Sequence, residues 1–275
     1  MTQTLEPVEA DRALKAKHRA MWALGNYPAV ADEVIASLGP VLVEAAGVQA
    51  GDRVLDVAAG SGNAAIPAAL AGASVVASDL TPDLLETGRQ AAAAVGATLQ
   101  WDQADAEALP YADDEFDTAI SCVGVMFAPH HQAGADELVR VVRPGGTVAV
   151  LSWTPAGFIG QMFATMKPYA PPPPPGAQPP PLWGSEAHVR SLFGERVSQV
   201  EVTTRDLSVG LFGSGAEFRD YFKKNYGPTI AVYRANAEQP ERIEALDADL
   251  AALGERFLDG GTMAWEYLVF TARVV

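Results

Sequence analysis

Val54-Leu55-Asp56-Val57-Ala58-Ala59-Gly60-Ser61-Gly62-Asn63 is an apolar strand pattern that ends in an acid and runs into a glycine turn. The Ala-rich stretch 64–70 follows it as a predicted helix. Glycines in such a turn let a cofactor lie against the backbone, and the free amides at a helix start bind its polar groups. A second predicted strand, from Ser74 to Asp79, ends in another acid roughly 20 residues on, where a carboxylate in a βαβ unit takes both hydrogen bonds of a ribose diol. This unit therefore predicts a nucleoside-binding crevice.

The composition is that of an ordinary globular protein: 275 residues, 49% hydrophobic and 19% charged. The net charge of −15 comes from 34 acidic against 19 basic residues, so phosphate backbones and anionic membranes are repelled and no nucleic-acid partner is expected. The chain starts without a basic region followed by an apolar core, and no segment approaches about 18 uninterrupted apolar residues. We therefore expect a cytoplasmic protein without membrane insertion. The single cysteine, Cys122, excludes an internal disulfide and a cysteine-rich zinc site, and no metal is expected.

Strand and helix patterns alternate from about Arg53 to Trp153, which is typical of a parallel sheet covered on both faces. Two amphipathic segments, 11–24 and 29–46, precede them and are expected to be helices beside the sheet edge. The predicted elements of the alternating part are strand 53–57, helix 62–71, strand 74–79, helix 82–95, strand 98–102, strand 116–121, helix 131–140 and strand 146–153.

The pattern changes after Trp153. The proline runs 171–175 and 179–181 cannot form regular helix or central strand, so this stretch is either a surface linker or a rim of the pocket. Beyond it the sequence predicts helix 184–193, strand 197–207, helices 215–234 and 239–258, and a last strand 263–274. We expect the chain to divide into N-terminal helices that cover the cofactor site (1–46), a cofactor-binding core (47–154), and a region with the connector, a helical cap and the last two strands (155–275).

Four stretches carry a resemblance to a known family. They are 54–63, Asp79-Leu80-Thr81-Pro82, the segment 105–110 followed by Phe116-Asp117, and 138–146. In this order and spacing the chain resembles the class I S-adenosylmethionine-dependent methyltransferases, in the small-molecule branch similar to quinone C-methyltransferases. The resemblance implies a Rossmann-like, doubly wound α/β fold with a mostly parallel seven-stranded sheet and a helical cap insertion.

The same resemblance implies S-adenosylmethionine as the cofactor and S-adenosylhomocysteine as its product. It assigns the methionine part to the loop from Gly60 to Gly62 and the ribose hydroxyls to Asp79. Leu80 would cover one adenine face, and Asp105 would accept from the adenine amino group. The remaining predicted cofactor residues are Asp56, Ala58, Ala106, Ser121 and Tyr27.

Two of these residues have other interpretations that the sequence leaves open, and a third departs from the family pattern. Asp56 could satisfy nearby loop amides only, and Asp105 could be only the N-cap of the turn that follows it. Ala58 stands where the family usually has a glycine, which would make the approach of the backbone slightly less close.

Methyl transfer from a sulfonium requires mainly orientation and exclusion of water. His130 and His131 lie in the loop after the strand ending at Ser121, where the resemblance places the acceptor, and are candidate general bases. The alternative is a pair of exposed histidines at a helix start. Apolar candidates for the pocket wall are Trp22, Met126, Phe127 and Trp153.

Segment 213–260 is expected to fold over the strand ends as a cap. Its aromatic stripe either lines the pocket or packs on the sheet or a dimer partner. The stripe consists of Phe218, Tyr221, Phe222, Tyr226, Ile230 and Tyr233.

The predicted function is transfer of a methyl group to a small, apolar or aromatic molecule. One alternative is an NAD(P)-dependent oxidoreductase, because the segment 60–65 also matches Gly-x-Gly-x-x-Ala. Another is a catalytically degenerate protein that still binds S-adenosylmethionine. The sequence leaves open the identity of the acceptor and whether the chain forms a homodimer.

Overall fold

A computed structural model describes residues 7–275, apart from the side chains at positions 7, 8 and 10. The first six residues of the predicted segment 1–46 lie outside the described residues. The fold is α/β, with one mixed sheet between helices. The strands are β1 (Arg53–Val57), β2 (Ser74–Asp79), β3 (Gln100–Gln103), β4 (Phe116–Cys122), β5 (Val142–Trp153), β6 (Val197–Val209), β7 (Leu258–Asp259) and β8 (Thr262–Val274).

Helices surround the sheet and also form the region after β6. They are α1 (Pro7–Trp22), α2 (Tyr27–Glu33), α3 (Leu38–Ala46), α4 (Ala65–Leu70), α5 (Pro82–Ala94), α6 (His131–Arg140), α7 (Phe158–Met166), α8 (Glu186–Phe193), α9 (Gly215–Asn225), α10 (Gly227–Ala235) and α11 (Pro240–Phe257). Among the described residues, no helix is both long and apolar enough to cross a membrane.

The strand order is β3-β2-β1-β4-β5-β8-β6, and the two-residue β7 pairs with β8 outside this path. The first five strands run parallel, while β8 is antiparallel to both β5 and β6. The predicted doubly wound, mostly parallel sheet is confirmed. It has eight strands rather than seven, because Leu258 pairs with Met263 in a short hairpin.

The strand order reverses at β1, which has β2 on one side and β4 on the other. Crossovers leave in opposite directions there, so a crevice opens at the carboxyl ends of the two neighbouring strands. The four residues of β1 after Arg53 are buried, as expected for a strand covered on both faces. The sequence stretch 54–63 therefore leads from the centre of the sheet into this crevice.

Two predicted helical segments each form two helices in the structure, and a different proline accounts for each break. The predicted segment 29–46 forms α2 and α3, and the predicted helix 215–234 forms α9 and α10. Pro40 and Pro228 lie in the first turns of α3 and α10, where proline's missing N–H is tolerated. A continuous helix through either proline would lose a hydrogen bond and clash with the preceding turn.

Two further differences concern β5 and the segment after it. Strand β5 begins at Val142, before the predicted strand 146–153, and contains a bulge there, because Phe116 pairs with Val142 whereas Thr118 pairs with Thr147. Helix α7 had no predicted counterpart. Its Phe158 packs against Trp265 of β8 with ring centroids 4.9 Å apart, so the helix covers the sheet beside the cap.

Candidate functional site

A cavity opens at the carboxyl ends of β1, β2 and β4, and its empty volume, mouth included, is about 840 Å³. We call it the edge cavity. Loops that follow the strands supply its floor, and α1 and α2 supply a wall. The predicted cofactor residues that line it are Tyr27, Ala58, Gly60, Asp79, Leu80, Asp105 and Ala106.

The loop after β1 is strained at Ala58, whose φ is +55°. This left-handed conformation favours glycine, which explains the family's preference at this position. Gly124 packs against the same residue, since a Cβ on Gly124 would lie 2.3 Å from the Ala58 carbonyl oxygen. The alanine therefore adds strain to the loop, while Ala58 still lines the edge cavity.

Asp79 is buried at the end of β2 and organises both loops around it. The Gly60 amide donates to Oδ2 at 2.9 Å and the Thr81 amide donates to Oδ1 at 2.7 Å. Burial raises the pKa of Asp79, and these amides offset part of that effect. Each carboxylate oxygen can accept a second hydrogen bond, which leaves the group able to hold a diol in the cavity.

Helix α1 reaches the edge cavity through Lys15. Its Nζ lies 2.6 Å from Oδ2 of Asp105 and 2.6 Å from Oε2 of Glu107. Burial lowers the pKa of Lys15, but the bonds to both carboxylates outweigh it and the pKa is raised. Glu107 also accepts from the backbone amide of His130 at 2.6 Å. The N-terminal helix is thus tied to the loops after β3 and β4.

Three potential metal ligands, Asp11, Glu107 and His130, approach within 4.8 Å of one another in the described part of the chain. The ammonium group of Lys15 lies 2.6 Å from the Glu107 oxygen and supplies the positive charge there. This cluster gives no support for a metal centre, and the expected absence of a metal stays a prediction.

If S-adenosylhomocysteine binds in the edge cavity, as the resemblance implies, replacing Lys15 with Met should release it about tenfold faster, equivalent to about 1.4 kcal/mol. The substitution removes the ion pairs that hold α1 to Asp105 and Glu107. It also leaves these two carboxylates close to each other without a cation between them. Stopped-flow displacement measures the dissociation rate. Lys17→Met, at an exposed position on the same helix, is the matched control and should leave the rate unchanged. Equal rates for both variants would show that α1 does not retain the ligand through Lys15.

A second, smaller cavity of about 310 Å³ lies beside the first. We call it the apolar cavity, because within the described residues only aromatic and aliphatic side chains line it. Three residues, Tyr27, Val123 and Phe127, line both cavities and form a shared wall. The other lining residues are Val30, Ile35, Trp153, Ile159, Phe222, Tyr226 and Trp265.

Backbone strain continues at the shared wall, where Val123 has a φ of +45°. A β-branched residue in the left-handed region is a genuine outlier, and such strain clusters at ligand sites. The Val123 amide donates to the Leu151 carbonyl at 2.8 Å, which holds the strained turn against β5. The strained residues Ala58 and Val123 thus lie on loops that face the same cavity.

The aromatic stripe of the cap divides between the two predicted roles. Phe222 and Tyr226 line the apolar cavity. Phe218 instead packs against Phe158 at 4.8 Å and contacts Trp265 of the sheet. Tyr221 lies near the surface and donates to Glu33.

Neither His130 nor His131 lines the edge cavity or the apolar cavity, which gives no support to the expectation that they face the acceptor. His131 is fully buried, so the alternative of an exposed histidine is wrong for this residue. Its Nδ1 lies 2.9 Å from Nε2 of His188 on α8, and burial lowers the pKa of His131 to about 4. His130 is held by Glu107, with 2.9 Å between Nδ1 and Oε2. These contacts join α6 to its neighbours.

Three predicted cofactor residues lie beneath the cavity floor instead of on it. Gly62 faces Trp101, since a Cβ there would lie 2.6 Å from that ring. The Ser121 hydroxyl donates to the Val57 carbonyl at 2.7 Å and accepts from the Val125 amide at 2.8 Å. Asp56 is buried, and neither of its carboxylate oxygens has a hydrogen-bond partner of good geometry among the described residues. The three residues support the loops from below. The wall candidate Met126 is likewise buried and lines neither cavity.

Asp56 predicts a measurable pH dependence of stability. Burial raises its pKa from 3.8 to about 8, with the nearby Ala65 amide acting in the opposite direction. A raised pKa means that the folded state favours the neutral acid, whereas the unfolded chain ionises near pH 3.8. The free energy of unfolding therefore decreases as the pH rises from 3.8 towards about 8.

Asp56→Asn should remove this dependence. The unfolding free energy of the wild-type chain should fall relative to the variant between these pH values. Urea unfolding at several pH values measures the difference, and parallel curves for the two proteins would contradict a buried neutral Asp56.

The proline-rich connector runs beside the mouth of the edge cavity. The Gln178 amide donates to the Pro129 carbonyl at 3.0 Å, and Pro129 lines that cavity. Residues 171–176 are exposed. The connector therefore has features of both predicted roles: residues 171–176 form a surface linker, and Gln178 contacts the rim of the edge cavity.

Several lining residues have no counterpart in the predicted site. Lys15, His18, Asn63, Thr81 and Leu84 line the edge cavity, and Val30, Ile35 and Ile159 line the apolar one. The sequence could have indicated Thr81, because it follows the end of the predicted strand 74–79. The aliphatic residues give no such indication, because apolar residues on a helix look alike whether they face a core or a ligand.

Comparison with known proteins gives one family match and several relatives. A methyltransferase domain matches residues 54–146. An uncharacterized protein of Mycobacterium tuberculosis (strain ATCC 25618 / H37Rv) is 53% identical over 266 residues, which cover 97% of each chain. A demethylmenaquinone methyltransferase of Clavibacter sepedonicus is 38% identical over 105 residues, covering 38% of this chain and 42% of the relative.

Among solved structures, a geranyl diphosphate methyltransferase in complex with S-adenosylmethionine superposes with a TM-score of 0.53. The alignment covers 87% of this chain and 85% of the other at 17% identity. At this identity the likeness concerns the fold alone.

Proposed function

Because the chain belongs to the class I S-adenosylmethionine-dependent methyltransferases, we propose that it transfers a methyl group to a small, apolar or aromatic molecule bound in the apolar cavity. The observation that carries this proposal is the shared wall of Tyr27, Val123 and Phe127 between the two cavities. A cofactor in the edge cavity would present its reactive end to an acceptor only one side chain away.

The residues of the edge cavity fit the proposed cofactor. Asp79, held by two loop amides, would bind the ribose hydroxyls. Leu80 would cover an adenine face, and Asp105 would accept from the amino group. Gly60, whose φ is +57°, would let the methionine part approach the backbone. The bound cofactor supplies an activated methyl group on a sulfonium.

The chain's own contribution is orientation and exclusion of water. Helix α1 closes the edge cavity through Lys15, and the cap closes the apolar cavity through Phe222 and Tyr226. Holding two reactants in line is worth several kcal/mol of the barrier. We assign no proton transfer to His130 or His131, since neither lines the edge cavity or the apolar cavity.

The apolar cavity suits a neutral, ring-containing acceptor. Six of its lining residues are aromatic: Tyr27, Phe127, Trp153, Phe222, Tyr226 and Trp265. Aromatic side chains bind flat rings through large apolar contacts with offset or edge-to-face geometry.

Calorimetric titration with S-adenosylmethionine, S-adenosylhomocysteine and NADH tests the cofactor proposal. We expect both sulfur compounds to bind and NADH to show no comparable affinity. Binding of NADH alone would restore the oxidoreductase alternative.

Transfer of labelled methyl groups tests the acceptor class. With S-adenosylmethionine labelled in its methyl group and a mycobacterial small-molecule extract, the label should move into a fraction extractable by organic solvent. Label that instead enters acid-precipitable protein or nucleic acid would contradict a small acceptor. Binding without any transfer would favour the degenerate alternative.

A further inference from the structure

We propose that the hydroxyls of Tyr27 and Tyr226 together bind an oxygen atom of the acceptor, a flat apolar molecule with a phenol or carbonyl group. The inference rests on the proposed function and names the residues that determine specificity within it. Both residues line the apolar cavity, and Tyr27 also lines the edge cavity. The oxygen would therefore lie near the shared wall.

The two rings meet from different elements. Tyr27 begins α2 and Tyr226 lies between α9 and α10, yet their ring centroids are 6.4 Å apart. Trp22 contacts both rings edge-on, at 5.3 Å from Tyr27 and 5.8 Å from Tyr226. Gly60 lies beneath Tyr27, because a Cβ there would be 3.4 Å from the ring. Packing thus holds both phenols in place.

Their hydroxyls differ from those of four of the other five tyrosines, whereas Tyr267 also has no hydroxyl hydrogen bond among the described residues and lines neither cavity. The described residues offer neither Tyr27 nor Tyr226 a hydroxyl hydrogen bond, although only 5% of the Tyr226 surface is exposed. A buried phenol normally finds a partner. Four other tyrosines donate to carboxylates: Tyr111 to Asp102, Tyr169 to Asp249, Tyr221 to Glu33 and Tyr233 to Asp247. Tyr27 is only half-buried, and neither hydroxyl oxygen is among the fully enclosed atoms of the described residues. Both hydroxyls are therefore open to the cavities that their residues line, and we expect them to donate to a polar atom of the ligand.

Both hydroxyls remain protonated donors at neutral pH. Burial raises the pKa of Tyr226, and the nearby Tyr27 adds to the effect. Burial likewise raises the pKa of Tyr27, with smaller contributions from Cys122 and Asp79. A phenol or carbonyl oxygen accepts from such donors, whereas a hydrocarbon leaves them unpaired. This asymmetry provides selectivity inside a cavity that otherwise offers apolar contacts.

The test compares 1-naphthol with 1-methylnaphthalene, which places a methyl group where the naphthol has its oxygen. Equilibrium dialysis measures binding of each probe to the protein saturated with S-adenosylhomocysteine. The wild-type chain should prefer the naphthol by about tenfold. Tyr226→Phe and Tyr27→Phe should each remove most of this preference while leaving the affinity for 1-methylnaphthalene unchanged.

The control and the double variant sharpen the test. Tyr221→Phe, on α9 but bonded to Glu33 outside the cavity, should keep the full preference. If both hydroxyls bind one oxygen, the double variant should lose less than the sum of the two single losses. Equal affinities of the wild-type chain for both probes, no binding of either probe, or a preference that survives both substitutions would overturn the inference. Failure to bind S-adenosylhomocysteine would instead contradict the proposed function itself.

Discussion

Replacing Asp79 with Ala is expected to weaken binding of S-adenosylhomocysteine by about 100-fold, or about 2.7 kcal/mol. Hydrogen bonds to a charged group contribute about 1.5–3 kcal/mol. We expect the loss of binding free energy for Asp79→Ala to lie near the upper end of this range. Its carboxylate also holds the amides of Gly60 and Thr81, so its loss disturbs both loops that face the ligand. Calorimetry measures the affinity.

Two further variants separate binding from folding in this experiment. Asp79→Asn keeps one carbonyl acceptor and should show an intermediate loss. Asp83→Ala, at an exposed position in the first turn of α5, should bind normally. Thermal unfolding without ligand reports any damage to the fold. An Asp79→Ala protein that binds as tightly as the wild-type chain would remove this residue from the site.

Replacing Phe222 with Ala is expected to cost about 3–5 kcal/mol of unfolding free energy, as for other fully buried phenylalanines. Phe222 is 2% exposed. Its ring centroid lies 4.7 Å from that of Phe218, 5.2 Å from Tyr226 and 5.7 Å from Trp265. Removing it opens a hole where the cap meets the sheet.

Urea unfolding measures this loss, and Leu211→Ala is the control because Leu211 is 43% exposed. A cost near that of Leu211→Ala would mean that the cap is loosely packed on the sheet. Phe222→Ala is therefore a poor test of acceptor binding. Phe222→Leu retains more of the volume and is the better variant for that purpose.

Much of the fold was predictable because local patterns and tertiary structure agree in the core. The boundaries of β1, β2 and α6 coincide with the predicted ones. Asp79 could be placed from its position at the end of a predicted strand, since the carboxyl ends of parallel strands meet at one edge, whereas Asp105 was placed only through the family resemblance. The breaks before Pro40 and Pro228 were not predicted, although proline's effect on helices could have indicated them.

Other features depend on contacts between distant segments. His131 could not be recognised as buried, because its partner His188 lies 57 positions later, on α8. Gly62 fits a cofactor loop and equally fits the space beside Trp101. The apolar cavity draws on α2, α7, α9 and three strands or their ends, so no local pattern could define it.

A crystal structure of the chain with S-adenosylhomocysteine tests most directly whether the two cavities form one methyl-transfer site. We expect the ribose hydroxyls on Asp79 and the sulfur against Tyr27, Val123 and Phe127, facing the apolar cavity. A sulfur that faces the mouth near Lys15, or a ligand bound outside the edge cavity, would contradict transfer across the shared wall.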